Sequence, residues 1–176
     1  MPQVDAFATC LPIILAQEGG FSDDRQDKGG PTALGVTQSN WQAWIGHPVS
    51  IADMKALTPT IVAPFYRTNY WQAASCDKLP LAIALCTFDF AVNSGVGRAA
   101  KELQHIVGAP ADGHIGVQTM LDVQQYVRAN GLKSLVRSLQ SARQTYLKGL
   151  DGFAHFGNGW LARVDRITAK ALALAV

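Results

Sequence analysis

The sequence lacks the features that mark several common classes of protein. It has three cysteines in 176 residues, with no CxxC pair and no histidines at ligand spacing, so neither a disulfide framework nor a zinc site is indicated. No apolar run approaches the roughly 20 residues that span a bilayer. No basic segment precedes the first apolar stretch, as it would in a Sec signal peptide. We therefore expect no metal site, no membrane insertion, and synthesis in the cytoplasm with export by another route.

Strong charge is missing as well. Only 16% of the residues are charged and the net charge is +2, whereas 48% are hydrophobic, which is typical of a globular protein. Residues 1–88 hold five Lys/Arg against seven Asp/Glu, and residues 89–176 hold ten against six. The second half is mildly basic but has no dense basic stripe, so we expect no nucleic-acid partner.

The pattern of apolar residues and turn signals predicts a mostly α (α+β) fold. Residues 80–94, PLAIALCTFDFAVNS, are apolar on nearly every face, which predicts a helix buried at the centre of a domain. Residues 21–37 carry turn chemistry and predict a small β-hairpin near the N-terminus, with 34–37 as a short strand. Helical spacing and cap signals predict the remaining helices at about 5–18, 39–45, 58–71, 98–107, 116–129, 132–148 and 160–175, with a glycine-rich loop at 149–159.

Glu18 comes at the end of the first predicted helix. At about 100° per residue it lies on the same side as Phe7 and Leu11, so it falls on the buried stripe rather than the solvated face. Burial of a carboxylic acid favours its protonated form, and a general acid must be protonated before it reacts. The structural alternative is a glutamate paired with Arg25 or Lys28, because a negative charge at a helix C-terminus needs a compensating partner.

A glycine-rich loop with several acidic residues follows this glutamate. Asp27 lies nine positions further on, where a carboxyl stays solvated and ionised, and Thr32 follows five positions later. Cleavage of a glycosidic bond needs two such carboxyls: one protonates the leaving oxygen, and the other activates water or stabilises the cationic sugar. Asp23 and Asp24 compete with Asp27 for the second role.

The same stretch resembles the signature of a known enzyme family. Residues 18–37, EGGFSDDRQDKGGPTALGVT, are similar to the glycoside hydrolase family 108 N-acetylmuramidases, lysozyme-like proteins found as phage endolysins and also described as secretion activators. The resemblance implies that Glu18 is the catalytic acid, Asp27 the second carboxylate and Thr32 the residue that orients water. The gap between the last two is one residue shorter than in the usual phage lysozyme pattern.

Three further blocks extend the resemblance. FYRTNYW (65–71) and FDFAVNSGVGRAAKELQ (88–104) resemble the family's other blocks, and GAPADGHIGVQT (108–119) is similar to a turn of its peptidoglycan-binding-type region. The resemblance implies one lysozyme-like domain over 1–176. Its catalytic part would cover about 1–88, and a helical part resembling a peptidoglycan-binding region would cover about 89–176.

Aromatic and amide side chains are candidates for sugar binding. Aromatic rings stack on the apolar faces of pyranoses, and Tyr66, Tyr70 and Trp71 are clustered on the predicted 58–71 helix. For each of these aromatic residues the alternative is packing in the core. Asp89 and Asn93 are polar residues four apart in the most apolar helix, and each could either contact substrate or hold the catalytic loop in place.

The expected function is hydrolysis of the β-1,4 bond between N-acetylmuramic acid and N-acetylglucosamine, without a cofactor. Analogy implies inversion at the anomeric carbon, for which the two carboxyls would be ~6.5–9.5 Å apart, whereas ~5 Å would favour retention. The alternative is a non-catalytic peptidoglycan-binding or secretion-accessory protein. We expect a monomer that acts on glycan strands in the periplasm as a phage or prophage endolysin, exported by a holin or a secretion system.

Overall fold

The computed structural model of the chain describes residues 5–23 and 30–175. The chain divides between Thr68 and Asn69 into two compact units. Helices dominate, and a two-stranded antiparallel sheet lies in the first unit, which confirms the predicted mostly α class with a small hairpin near the N-terminus. The prediction of one domain with parts meeting near residue 88 stays a prediction.

The first unit contains four α-helices and the hairpin in its described part. The helices are α1 (Ala6–Leu15), α2 (Gln38–Ile45), α3 (Ile51–Lys55) and α4 (Pro59–Tyr66), and the strands are β1 (Thr32–Ala33) and β2 (Val36–Thr37). Phe65 is the centre of an aromatic cluster in this unit. The rings of Trp41, Trp44 and Tyr66 meet it edge-on, with centroids 5.7–6.2 Å away, and this packing fixes the end of α4.

Helix α1 is shorter than the sequence predicts. It begins at an Asp5 cap, whose side chain accepts hydrogen bonds from two backbone amides, and it continues through Pro12 to Leu15. The backbone then tightens, because the amide of Gln17 donates to the carbonyl of Ile14 and that of Glu18 to the carbonyl of Leu15. Glu18 therefore lies in a turn three residues beyond the helix, and the helical-wheel argument for its burial applies only up to Leu15.

The hairpin also differs from the prediction in its register. Residues 34–37 were predicted as a strand, but Leu34 and Gly35 form the two-residue turn between β1 and β2. Both turn residues have positive φ, 49° and 75°, which matches the twist of a tight hairpin and cannot continue a strand. Thr32 pairs with Thr37 across this hairpin.

The predicted helix 58–71 is two different elements. An α-helix runs from Pro59 to Tyr66, capped by the Thr58 side chain, and a π-helix continues from Arg67 to Gln72. Tyr66 is therefore the last residue of the α-helix, whereas Tyr70 and Trp71 lie in the π-helix. Single π-turns of this kind are frequent at functional sites.

The second unit is built around a buried helix. Its α-helices are α5 (Leu81–Ser94), α6 (Val96–Val107), α7 (Val117–Asn130), α8 (Leu132–Lys148) and α9 (Phe153–Leu174), and a 3₁₀ turn lies at Cys76–Lys78. Every residue from Ala82 to Ala91 is buried, and α5 packs against α6, α8 and α9. The prediction of a central buried helix is thus confirmed.

Helix α9 begins seven residues before its predicted start at residue 160. The glycines of the predicted 149–159 loop do not break it, because Gly157 lies under the ring of Phe153 one turn earlier. A Cβ atom at Gly157 would be 2.7 Å from that ring, so the glycine is needed for packing within the helix. No helix in the described part of the chain is both long and apolar enough to cross a membrane.

Candidate active site

Glu18 is held at the junction between α1 and the loop that leads to the hairpin. Its side chain is half-buried, and the apolar residues Ile14 and Leu15 just before it are buried in the core of the first unit. The turn after α1 therefore brings a carboxyl group to the edge of the apolar core. This agrees with the expectation of an acid beside hydrocarbon, although a turn rather than a helix achieves it.

The turn of the hairpin lies directly against this carboxyl group. A Cβ atom placed on Gly35 would be 2.7 Å from Oε2 of Glu18 and 2.8 Å from its Cδ, closer than side-chain carbons come in proteins. Only a glycine at this position leaves room for the carboxylate, and its φ of +75° also favours glycine. The hairpin thus forms one wall of the space that Glu18 occupies.

Tyr66 completes the arrangement from the end of α4. Its hydroxyl donates a 2.7 Å hydrogen bond to the carbonyl of Leu34, which fixes the turn. The same hydroxyl lies 2.6 Å from the Cβ position of Gly35, so the phenol and the Glu18 carboxyl flank a single point. The tyrosine ring is buried and 1% exposed. A carboxyl group, a phenol and a strained turn are therefore brought together from three separate segments.

Thr32 is close to this turn along the chain but is tied to the backbone. Its amide and carbonyl exchange hydrogen bonds with Ser22 at 2.9 and 2.8 Å, and its hydroxyl donates to the carbonyl of Gly30 at 3.2 Å. Asp23 is exposed. Asp24 and Asp27 lie outside the described residues, so which loop aspartate is the second carboxylate stays as open as the sequence leaves it.

The predicted sugar-binding residues lie in different surroundings. Trp71 is 2% exposed and packs edge-on against Phe88 with centroids 5.3 Å apart, whereas Tyr70 is half-buried. Asn93 is exposed, and Oδ1 of its side-chain amide accepts a hydrogen bond from the Ser94 hydroxyl. The substrate-binding roles of these residues and of Tyr66 stay predictions.

Sequence reasoning missed the two residues of the turn, Leu34 and Gly35. A signal was present, since a glycine in the second place of a two-residue loop between β-formers is typical of a type I′ hairpin. It also flagged Asp89 without finding its partners. This buried carboxylate accepts hydrogen bonds from Arg143 at 2.5 Å and from Arg163 at 2.8 Å, which ties α5 to α8 and α9.

In residues 5–23 and 30–175, no group of three or more His, Cys, Asp or Glu side chains is placed to hold a metal ion. The three cysteines are buried, and burial raises the pKa of the Cys10 thiol to about 12. What the site offers is the Glu18 carboxyl with hydroxyl and backbone groups, which suits proton transfer.

The sequence and the structure were compared with those of known proteins. Residues 11–95 match the profile of the glycosyl hydrolase 108 family, and this segment contains Glu18, the hairpin and Tyr66. The structure of SagA from Brucella abortus is similar to this chain at 41% sequence identity and a TM-score of 0.83, covering 96% of this chain and 95% of that one. No curated protein matches the chain. The chain belongs to the glycosyl hydrolase 108 family.

Proposed function

We propose that the protein is an N-acetylmuramidase that hydrolyses the β-1,4 bond between N-acetylmuramic acid and N-acetylglucosamine in peptidoglycan. One observation carries the proposal. Within the segment that matches a glycosyl hydrolase family, Glu18 is half-buried and seated against a glycine that leaves space only for its carboxyl group. A carboxyl held in one place at the edge of an apolar core is what general acid catalysis requires.

The proposed roles follow from glycosidase chemistry. Glu18 donates its proton to the bridging oxygen as the bond from that oxygen to the anomeric carbon breaks, and the leaving sugar departs as an alcohol. A loop aspartate, with Asp27 as our first choice, takes a proton from the water that attacks the anomeric carbon. Thr32 would orient that water. Tyr66 holds the Leu34 carbonyl and is thus a positioning residue in this scheme.

Zymography on purified sacculi tests the proposal directly. Wild type should clear the sacculi, and Glu18→Gln should not, because the amide keeps the shape of the side chain but its N–H protons are far too weakly acidic to be transferred. Asp151→Asn serves as a charge-matched control at an exposed position and should clear like wild type. Equal clearing by Glu18→Gln would refute the assignment of the acid.

Analysis of the products defines the bond that is cut. New reducing N-acetylmuramic acid ends identify a muramidase, whereas reducing N-acetylglucosamine ends or released peptides would identify a different hydrolase. The configuration of the first-formed sugar, followed by NMR, separates inversion from retention. Wild-type protein that binds sacculi and never clears them would favour the non-catalytic alternative.

The proposed setting is bacterial cell-wall lysis. We propose that the chain acts as a monomeric endolysin of a phage or prophage on glycan strands in the periplasm, with a holin or a secretion system providing export. Expression in the cytoplasm with and without a holin tests the route, because lysis that needs the holin would support it. Size-exclusion chromatography with light scattering tests the monomer.

A further inference from the structure

A polar pocket of about 470 Å³ lies in the second unit, built wholly from residues of that unit. It is lined by the start of α6, by the turn that precedes α7, and by Tyr146 of α8; the lining residues that matter here are Gly97, Arg98, Lys101, Gly113, His114 and Tyr146. The volume falls in the range of about 300–1,000 Å³ typical of small-molecule sites. It is far larger than a single ion needs.

The turn that forms one side of the pocket is held rigidly. Nε2 of buried Gln104 lies 2.8–3.1 Å from the Asp112 carboxylate, the His114 carbonyl and the Thr119 hydroxyl, which share its two hydrogens, and Oε1 accepts from the Gly113 amide. One glutamine side chain therefore uses both ends to fix the loop. A pocket wall fixed in this way is preorganised, which lowers the entropy that a ligand loses on binding.

Gly113 also brings the turn close to α6. Its φ is +86°, and a Cβ atom there would be 3.3 Å from Cε of Lys101 and 3.5 Å from the carbonyl oxygen of Gly97. The lysine stem is thus packed along the turn, and its ammonium is carried at the pocket. In the described part of the chain Lys101 takes part in no ion pair.

Arg98 supplies a second cation with a fixed plane. Its guanidinium lies over the ring of Tyr146, 4.8 Å from the centroid, and one nitrogen is 3.3 Å from the Glu102 carboxylate. That pair is exposed and weak, and a guanidinium has five N–H donors, so most of its donors stay available. No side chain caps the start of α6, whose first backbone amides add positive potential at the same place.

The pocket lining also contains the carboxylate of Asp112, which is held by hydrogen bonds within the turn. One oxygen of Asp112 accepts hydrogen bonds from Gln104 and from the His114 amide, and the Gln104 bond is the main cause that lowers the pKa of this carboxyl. Asp112 therefore maintains the turn. Arg98, Lys101 and Gly97 at the start of α6 line the rest of the pocket.

These features favour a carboxylate over a sugar ring. The Tyr146 ring is covered by the Arg98 guanidinium and also contacts Phe90, so it is not a bare platform for a pyranose. In peptidoglycan the glycan strand is neutral where its lactyl groups carry peptides, and the free carboxylates lie on the stem peptides. Guanidinium and ammonium groups suit carboxylates through charge-assisted hydrogen bonds.

We propose that this pocket binds the carboxylates of peptidoglycan stem peptides, with Arg98 and Lys101 as the ligand-binding residues. The identity of the peptide rests on the proposed muramidase function, whereas the carboxylate chemistry rests on the pocket alone. The site would let a glycan hydrolase recognise strands that carry peptides. It is separate from the reaction assigned to Glu18.

Binding of the free L-alanyl-γ-D-glutamyl-diaminopimelate tripeptide to the ¹⁵N-labelled full chain tests the proposal by NMR. We expect shifts concentrated at the amides of Gly97, Lys101, Gly113 and His114. Arg98→Gln with Lys101→Gln should weaken binding at least about tenfold, the loss expected from one or more charge-assisted hydrogen bonds. The double variant Lys133→Gln with Arg137→Gln removes the same charge from exposed positions on α8 and should bind like wild type.

Two further probes test whether the pocket recognises the carboxylates of the peptide. The same tripeptide with its carboxyls converted to amides should not bind, and inorganic phosphate should not displace the free acid at comparable concentration. Equal binding of the amidated peptide, unaltered affinity in the pocket variant, shifts elsewhere, or displacement by phosphate would each overturn the proposal. The tripeptide contains no glycosidic bond, so its binding can be measured separately from muramidase activity. Binding without muramidase activity would refute only the proposed function. Muramidase activity without binding of the tripeptide would refute only the proposed role of the pocket.

Discussion

Replacing Gly35 with alanine would place a methyl group where the Glu18 carboxyl and the Tyr66 hydroxyl now meet. The new carbon would lie 2.6 Å from the phenol oxygen and 2.7 Å from Oε2 of the glutamate. Glu18 is the more flexible of the two, because the tyrosine ring is buried and its hydroxyl is bonded to the Leu34 carbonyl. The carboxyl group is therefore the part that moves more readily, while the contact with the phenol oxygen remains strained.

The size of the movement follows from contact distances. Oε2 must retreat from 2.7 Å to the 3.4 Å at which ordinary contact begins, a displacement of about 0.7 Å. Misplacement of a catalytic group by about 1 Å costs on the order of 10²-fold in rate, so we expect kcat/KM to fall about tenfold to hundredfold. Alanine at positive φ costs a further ~1–2 kcal/mol of stability through backbone strain.

Gly46→Ala is a control that has the backbone strain of alanine at positive φ but not the steric clash with Glu18 and Tyr66. Gly46 caps α2 in the same unit with a φ of +80°, close to the +75° of Gly35, but nothing lies within 4 Å of its Cβ position. Both variants should lose the ~1–2 kcal/mol of backbone strain in urea denaturation, and Gly35→Ala should lose more because its methyl group also clashes with Tyr66 and Glu18. In a turbidity assay on sacculi, normalised to folded protein, only Gly35→Ala should lose activity.

The outcome in a Glu18→Gln background gives an independent check. If Gly35 acts by seating this carboxyl, adding Gly35→Ala to Glu18→Gln should change the residual rate little, because both substitutions remove the same function. Wild-type kcat/KM in folded Gly35→Ala, or an equal loss in Gly46→Ala, would refute the seating of Glu18 by the hairpin turn.

Three further predictions concern the stability of each unit. Tyr66→Phe removes the hydrogen bond to Leu34 and should cost ~1 kcal/mol with a several-fold loss of sacculus clearing; unchanged clearing would contradict a positioning role. Asp89→Asn removes the carboxylate that pairs with buried Arg143 and with the partly buried Arg163, and it should cost ~3–5 kcal/mol in urea denaturation, against under ~0.5 kcal/mol for exposed Asp165→Asn; similar losses would contradict it. The pKa of Asp112 is lowered by the glutamine amide that donates to it, so its contribution is present above the ordinary value of 3.8 and is lost as pH falls through the lowered value. Thermal unfolding of Asp112→Asn should therefore lose this acid-side dependence, and an identical profile to wild type would contradict it.

The fold was largely predictable because its signals are local. Residues 80–94 are apolar on every side, and a helix of that kind has to be surrounded by others, as α5 is. The end of α1 and the start of α9 were predicted less well. A change of hydrogen-bond pattern decided where α1 ends, and side-chain packing around Gly157 allowed α9 to start early.

The candidate site was predictable in part. The Glu-Gly-Gly segment after an apolar helix indicated Glu18 as an acid, and the family profile covers that segment. The contact between the Glu18 carboxyl group and the hairpin turn was not predicted, since Leu34 and Gly35 were assigned to a strand. Their positive φ values depend on the closure of the hairpin, and Tyr66 reaches Leu34 from 32 positions away in the sequence.

The amino-acid sequence by itself determined the helical periodicity, the caps and the presence of an acid shortly after α1. These depend on residues within a turn or two of each other, where backbone sterics and hydrogen bonding act directly. Only the tertiary structure decided what the acid touches, and which arginines, 54 and 74 positions away, neutralise Asp89. Such contacts arise when separate elements pack, because burial of their apolar faces selects which polar groups meet.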